Sequence, residues 1–149
     1  MILGIDPGLE NTGWAVVDGE RLIGYGVVKI ESKDRLKDIY NSVEKIIKKY
    51  KIKEMAVESM FFVKNARSAL KVSEAIGVIK VCGVKNGVEV TEYTPLQVKM
   101  ALTGYGRAEK EQVEQMVGTY LKLPKVIQPL HAADAVAVAL THGFTMKIE

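Results

Sequence analysis

Cysteine is nearly absent from this chain of 149 residues: Cys82 stands alone. A single thiol forms no internal disulfide and has no partner thiol for a zinc knuckle. The chain therefore suits a reducing compartment, and Cys82 reads as a small buried hydrophobe. No apolar run approaches the ~20 residues that span a bilayer, and the first residues lack the basic segment and cleavage site of a secretory signal. Both absences point to the cytoplasm and to no membrane partner. Internal repeats, low-complexity tracts and linker-like compositions are missing too, so residues 1–149 are expected to form one domain.

Charge of either sign is in modest supply. The formal net charge is +3 and the pI about 8.9, which permits an anionic partner without demanding one. Residues 29–53 carry nine basic against four acidic side chains, but on a helical pattern whose other face is apolar, the mark of a solvated helix face. What the chain does have is apolar residues, 48%, and charged ones, 26%, the profile of an ordinary globular protein with a real core.

The apolar residues are patterned. Residues 2–5, 13–17 and 22–30 read as strands separated by glycine-containing turns, the last two close enough to form a hairpin. Leu36, Ile39, Tyr40, Val43, Ile46, Ile47 and Tyr50 recur at helical spacing and define one amphipathic helix. Residues 55–58 form a short strand, a helix starts near Ala66, and residues 88–93 alternate as a strand. Pro95 then opens a short helix, another starts near Ala108 after two glycines flanking Tyr105, and a last one runs over 130–142. Strands first, then strand and helix in alternation, imply one mixed sheet with helices on its faces. Ala66, Ala69, Ser73 and Gly77 form a stripe of small residues along the second helix, suited to packing on the domain's own sheet or on another helix.

Three times an acid falls where an apolar element ends. Asp6 follows the first strand, Glu58 closes "MAVE", and "HAAD" sets His131 and Asp134 at i and i+3, on one helix face. Each has a plainer reading. Asp6 suits a turn carboxylate bonding the Pro-Gly backbone, and Asp134 suits a group complementing a helix N-terminus. Glu58 resists such a reading, because a buried carboxylate without a partner is costly. Three carboxylates and an imidazole make a hard, oxygen-rich donor set that favours magnesium or manganese over zinc, and two such ions do phosphodiester chemistry.

The stretches "GIDPGLENTGWAVV", "ESMFFVKNARSALKVSEAIGV", "TPLQVKMALTGYGRAEKEQVEQMV" and "HAADAVAVALTH" resemble, in order and spacing, the motifs of RuvC-type Holliday junction resolvases. The resemblance covers essentially the full length. It implies an α/β ribonuclease-H-like fold with a five-stranded mixed sheet flanked by helices, and a homodimer that resolves four-way DNA junctions by paired symmetric nicks. It implies a Mg2+-dependent site with two ions, for which Mn2+ can substitute. Asp6, Glu58, His131 and Asp134 match the four metal positions, with Asp6 central; His131 departs from the family variant that has Asp there. Lys99 and Lys110 match basic positions of the active-site region, and Lys110 is suited to stabilise charge on the scissile phosphate. Phe61 matches the position expected to stack on or wedge between bases, with Phe62 beside it. Lys64, Asn65 and Arg67 are expected on the phosphate backbone, and Arg107 can hold a phosphate. Branch-migration proteins, RuvA and RuvB, are implied as partners. The homodimer makes the small-residue stripe the candidate dimer surface.

Two other readings share features. The actin and sugar-kinase group opens on a similar strand, Asp, Gly-turn and strand, but needs two such domains and a second glycine-rich phosphate loop, which this chain lacks. A junction-binding protein without catalysis predicts missing ligands, whereas all four positions hold metal-binding side chains.

Overall fold

The computed structural model describes residues 1–59 and 65–148. Among these residues five strands and five helices follow in the order β1 (Ile2–Pro7), β2 (Thr12–Asp18), β3 (Arg21–Val27), α1 (Arg35–Tyr50), β4 (Glu54–Glu58), α2 (Ala66–Lys85), β5 (Glu89–Tyr93), α3 (Pro95–Thr103), α4 (Lys110–Tyr120) and α5 (Leu130–Ile148). The sheet order is β3-β2-β1-β4-β5. β1 pairs antiparallel with β2 and parallel with β4, so the strand bearing Asp6 lies at the centre of a mixed sheet. The expected architecture is the one observed.

Period-two alternation sorts the sheet into two faces. Leu3, Ile5, Val16, Met55 and Val57 point one way and pack with Ile39, Val43, Ile46 and Ile47 of α1 and Ala75, Ile79 and Cys82 of α2. Cys82 is fully buried there, and burial pushes its thiol up to about 11, as expected of an inert packing residue. The opposite face, with Ala15, Val17 and Ala56, packs against α3, α4 and the alanine-rich α5.

Small residues bring α5 close. A Cβ on Gly4 would fall on the Ala135 carbonyl and the Ala139 side chain, and one on Gly13 would fall on the His131 carbonyl. Only a residue without a side chain lets β1 and β2 meet the α5 backbone at this distance. Helix starts follow their sequence signals. Thr94 caps α3 in a reciprocal box with Gln97, followed by Pro95, and Gly104 ends that helix at φ 73°.

Several expected boundaries change. The third strand stops at Val27 rather than residue 30, because pairing with β2 ends opposite Gly13. The helix expected near Ala108 begins at Lys110, where Glu109 and Gln112 form a capping box and Ala108 is buried before it. The last helix continues past His142 to Ile148, since Phe144 still packs on Tyr120, edge to face at 4.7 Å. Of the small-residue stripe, Ala66, Ser73 and Gly77 lie outward and Ala69 is half-buried, so the stripe does not pack on the domain's own sheet; Val72, Ala75, Ile79 and Cys82 do.

Candidate active site

Asp6 and Glu58 reach the site by parity. In β1 and β4 the even-numbered residues Gly4, Asp6, Ala56 and Glu58 share the α5 face of the sheet, and parallel pairing of Ile5 with Val57 sets the two acids side by side at the strand ends. Opposite them, the first turns of α5 present His131 and Asp134. His131 Nδ1 lies 3.3 Å from Asp6 Oδ2, and one donor atom each from Asp6, His131 and Asp134 all fall within 4.8 Å of one another. Asp6 is 7% exposed, so the cluster's central carboxylate sits at the bottom of the site. Lys110, the first residue of α4, reaches across to Asp134 with Nζ to Oδ2 at 3.3 Å.

The electrostatics are those of crowded acids. Burial, a hydrogen bond with Asp6, and the charges of Asp6 and Asp134 push Glu58 up to about 9, against the pull of Lys110. Asp134 is also raised, by burial first and then by Asp6, with Lys110 and His131 opposing. With a proton retained on Glu58, three carboxyls and an imidazole can share a volume that has one lysine for a fixed cation. A divalent cation supplies the missing charge, and hard oxygen donors with one imidazole are the set that Mg2+ or Mn2+ accepts. The residues present therefore fit a metal centre.

The turn after Asp6 is held from outside. Arg35, at the start of α1, donates from Nη2 to the Gly8 carbonyl at 2.7 Å, and a Cβ on Gly8 would lie 3.4 Å from His131 Cε1. A cleft of about 680 Å³ between α4 and α5 opens at Lys110 and Asp134. Its walls are Val113, Val117, Leu123 and Ile127, with Glu111, Glu114 and Lys125 also lining it.

Of the residues expected at the site, the structure brings together Asp6, Glu58, His131, Asp134 and Lys110. Among the described residues, Asn65, Arg67, Lys99 and Arg107 form no hydrogen bond or ion pair with this cluster. Asn65 is the N-cap of α2, its Oδ1 accepting from the Arg67 N–H at 2.9 Å, and Arg67 is exposed in the first turn. Lys99 is half-buried on α3, and Arg107 is exposed in the α3–α4 connection. Phe61, Phe62 and Lys64 lie outside the described residues. Sequence reasoning missed Arg35, Tyr93 and His142. His142 carried one usable signal: it lies about three helical turns beyond His131 and therefore on the same side of α5.

A five-stranded mixed sheet with acids at adjacent strand ends and a helix closing over them defines the ribonuclease-H-like class, in its metal-dependent nuclease form. The family described as "Crossover junction endodeoxyribonuclease RuvC" matches residues 2–142. Proteins of that description from Desulforamulus reducens and Halothermothrix orenii are 47% and 44% identical, over 96% and 99% of this chain and 93% and 94% of theirs. A solved structure, "T. thermophilus RuvC in complex with Holliday junction substrate", is 36% identical, covers 99% of this chain and 94% of its own, and superposes with a TM-score of 0.90. The chain belongs to the RuvC family of crossover junction endodeoxyribonucleases.

Proposed function

We propose that this member of the RuvC family, a junction-resolving endonuclease that hydrolyses phosphodiester bonds, does so at Asp6, Glu58, His131 and Asp134, working as one nuclease domain over residues 1–149. The supporting observation is the convergence of three ligand-bearing side chains within 4.8 Å, with the raised Glu58 against Asp6. Two Mg2+ ions, for which Mn2+ can substitute, would be held here by Asp6 as the central ligand, by Glu58 for one ion, and by His131 with Asp134 for the other. When bound, such ions activate the attacking water and stabilise the leaving oxygen.

The protein's own part is placement and charge. Asp6 is fixed by the central strand, by Gly13 opposite it and by the turn that Arg35 holds. Lys110 keeps Asp134 oriented and offers its ammonium to the phosphate as charge develops there. The substrate is a four-way DNA junction. Phe61 and Phe62 are assigned to the bases, and Lys64, Asn65, Arg67, Lys99 and Arg107 to the phosphates.

A second copy completes the reading. Leu70, Val81 and Val84 on the outer face of α2 are 66%, 61% and 69% exposed, and Gly77 between them has open space where a Cβ would stand. An apolar, partly flat helix face of this kind supports a homodimer across a twofold axis, which makes the two nicks symmetric. RuvA and RuvB are proposed partners on family membership alone. Among the described residues no helix is long and apolar enough to cross a membrane; action on DNA places the proposed function in the cytoplasm.

The test is a mobile four-way junction incubated with Mg2+. The wild-type chain gives paired symmetric nicks, and Asp6→Asn slows cutting more than about 100-fold, beyond what loss of even an outer partner of a ligand costs, while binding the junction. Equal cutting by Asp6→Asn refutes the assignment.

A further inference from the structure

The α5 side of the sheet packs mostly through Ala, Val and Leu, and among its few buried polar side chains His142 stands well away from the acids. His142, 1% exposed, places Nδ1 2.8 Å from the Tyr93 hydroxyl and Nε2 3.0 Å from Glu54 Oε2. The rings of Tyr93 and His142 meet edge to face at 5.8 Å. A carboxylate accepts only, so Nε2 carries a hydrogen toward Glu54, and the Tyr93 hydroxyl pairs with Nδ1 on the other side of the ring. Tyr93 in turn is the register partner of Glu58, and its carbonyl accepts the Ser59 N–H at 2.8 Å and the Ser59 hydroxyl at 3.4 Å. β4 is thus gripped at both ends from one residue of α5: at Glu54 directly, and beyond Glu58 through Tyr93.

We infer that His142 and Tyr93 are positioning residues for the metal centre, setting the distance between Glu58 on the sheet and His131 and Asp134 on the helix. The inference rests on the reading of those acids as ligands. α5 carries His131 and Asp134 at its start and His142 about three turns later, so a bond that locks His142 to the two strand ends also locks the first turn over the acids. Apolar packing of Ala and Val against Gly4 and Ala56 is tight but non-directional, and by itself specifies the position of the helix along the sheet less sharply than a hydrogen bond does. Two directed hydrogen bonds from His142, the one to Tyr93 fully buried, restrict that position. Ligand geometry tolerates little such looseness, since a site about 1 Å too loose fails even when all its residues are present.

The test separates positioning from mere stability. Tyr93→Phe deletes the hydroxyl and keeps the ring. Tyr93→Phe combined with His142→Phe replaces both buried polar partners with apolar ones of similar shape, a change that can be neutral for stability, while the half-exposed Glu54 turns to water. Mn2+ binding is measured by electron paramagnetic resonance, beside melting temperature and junction affinity in EDTA. Expected for both variants is Mn2+ binding at least fivefold weaker, with junction affinity within twofold of wild type; the double variant melts within a few degrees of wild type. Unchanged Mn2+ affinity in either variant overturns the inference, as does a loss of Mn2+ affinity in Tyr93→Phe that the double variant restores along with its melting temperature. If the wild type binds Mn2+ no better than Asp6→Asn, the metal-centre reading itself fails and takes this inference with it.

Discussion

Glu58 makes the metal-free protein pay for its function in stability. Its carboxyl ionises near 4.5 in an unfolded chain but near 9 in the fold, raised by burial, by the hydrogen bond with Asp6 and by neighbouring negative charge. Between those values the folded state holds a proton that the unfolded chain has released, so stability is full below pH 4.5 and falls as pH rises, by about 1.4 kcal/mol per pH unit. From pH 5 to 7 that amounts to about 3 kcal/mol at most, and because Glu58 is half-buried, solvent reduces it to on the order of 1–2 kcal/mol. Glu58→Gln is neutral at every pH and keeps a donor for Asp6. In EDTA at pH 8 this variant is expected to melt about 3–6 °C above wild type, with a flatter pH profile between 5 and 8, and to have lost junction cutting. Adding Mg2+ reverses the order, because only the wild type gains its full ligand set. A variant that melts at or below wild type in EDTA at pH 8, with parallel profiles, refutes the claim that Glu58 is held protonated by crowding.

Three further outcomes follow from the geometry. Gly13→Ala sets a methyl group on the His131 carbonyl and should cost about 2–3 kcal/mol in urea unfolding, with cleavage falling further than junction affinity; an unchanged midpoint contradicts the close approach of α5. Lys110→Gln should slow cleavage about 100-fold and move the acid limb of the pH–rate profile to higher pH, since Lys110 now lowers the Asp134 carboxyl; an unmoved limb argues against that pairing in solution. Val81→Glu, on the exposed face of α2, should give a folded monomer by sedimentation and convert paired nicks into single ones, and a dimer that persists would place the interface elsewhere.

Much of this molecule was legible in one dimension because its elements obey local rules. The amphipathic stripe from Leu36 to Tyr50 has one helical solution, Pro95 opens a helix at its first turn, and strand periodicity decides which of Leu3, Gly4, Ile5 and Asp6 share a face. Those rules, with the resemblance in the four motifs, sufficed to single out Asp6, Glu58, His131 and Asp134. Ends were read less well. The extension of α5 to Ile148 depends on Phe144 finding Tyr120, a partner from another helix.

What only the tertiary structure decided is which residues at long sequence separation meet, and with what consequence. The pairing of Ile5 with Val57 brings two acids together, and the glycines at 4 and 13 let α5 close on them; the crowding that follows is what raises Glu58 and gives Lys110 its place beside Asp134. Arg35, Tyr93 and His142 were missed for the same reason. Each acts on a residue dozens of positions away, through a bond that exists only once the chain has folded, and no local propensity or periodicity encodes such a contact.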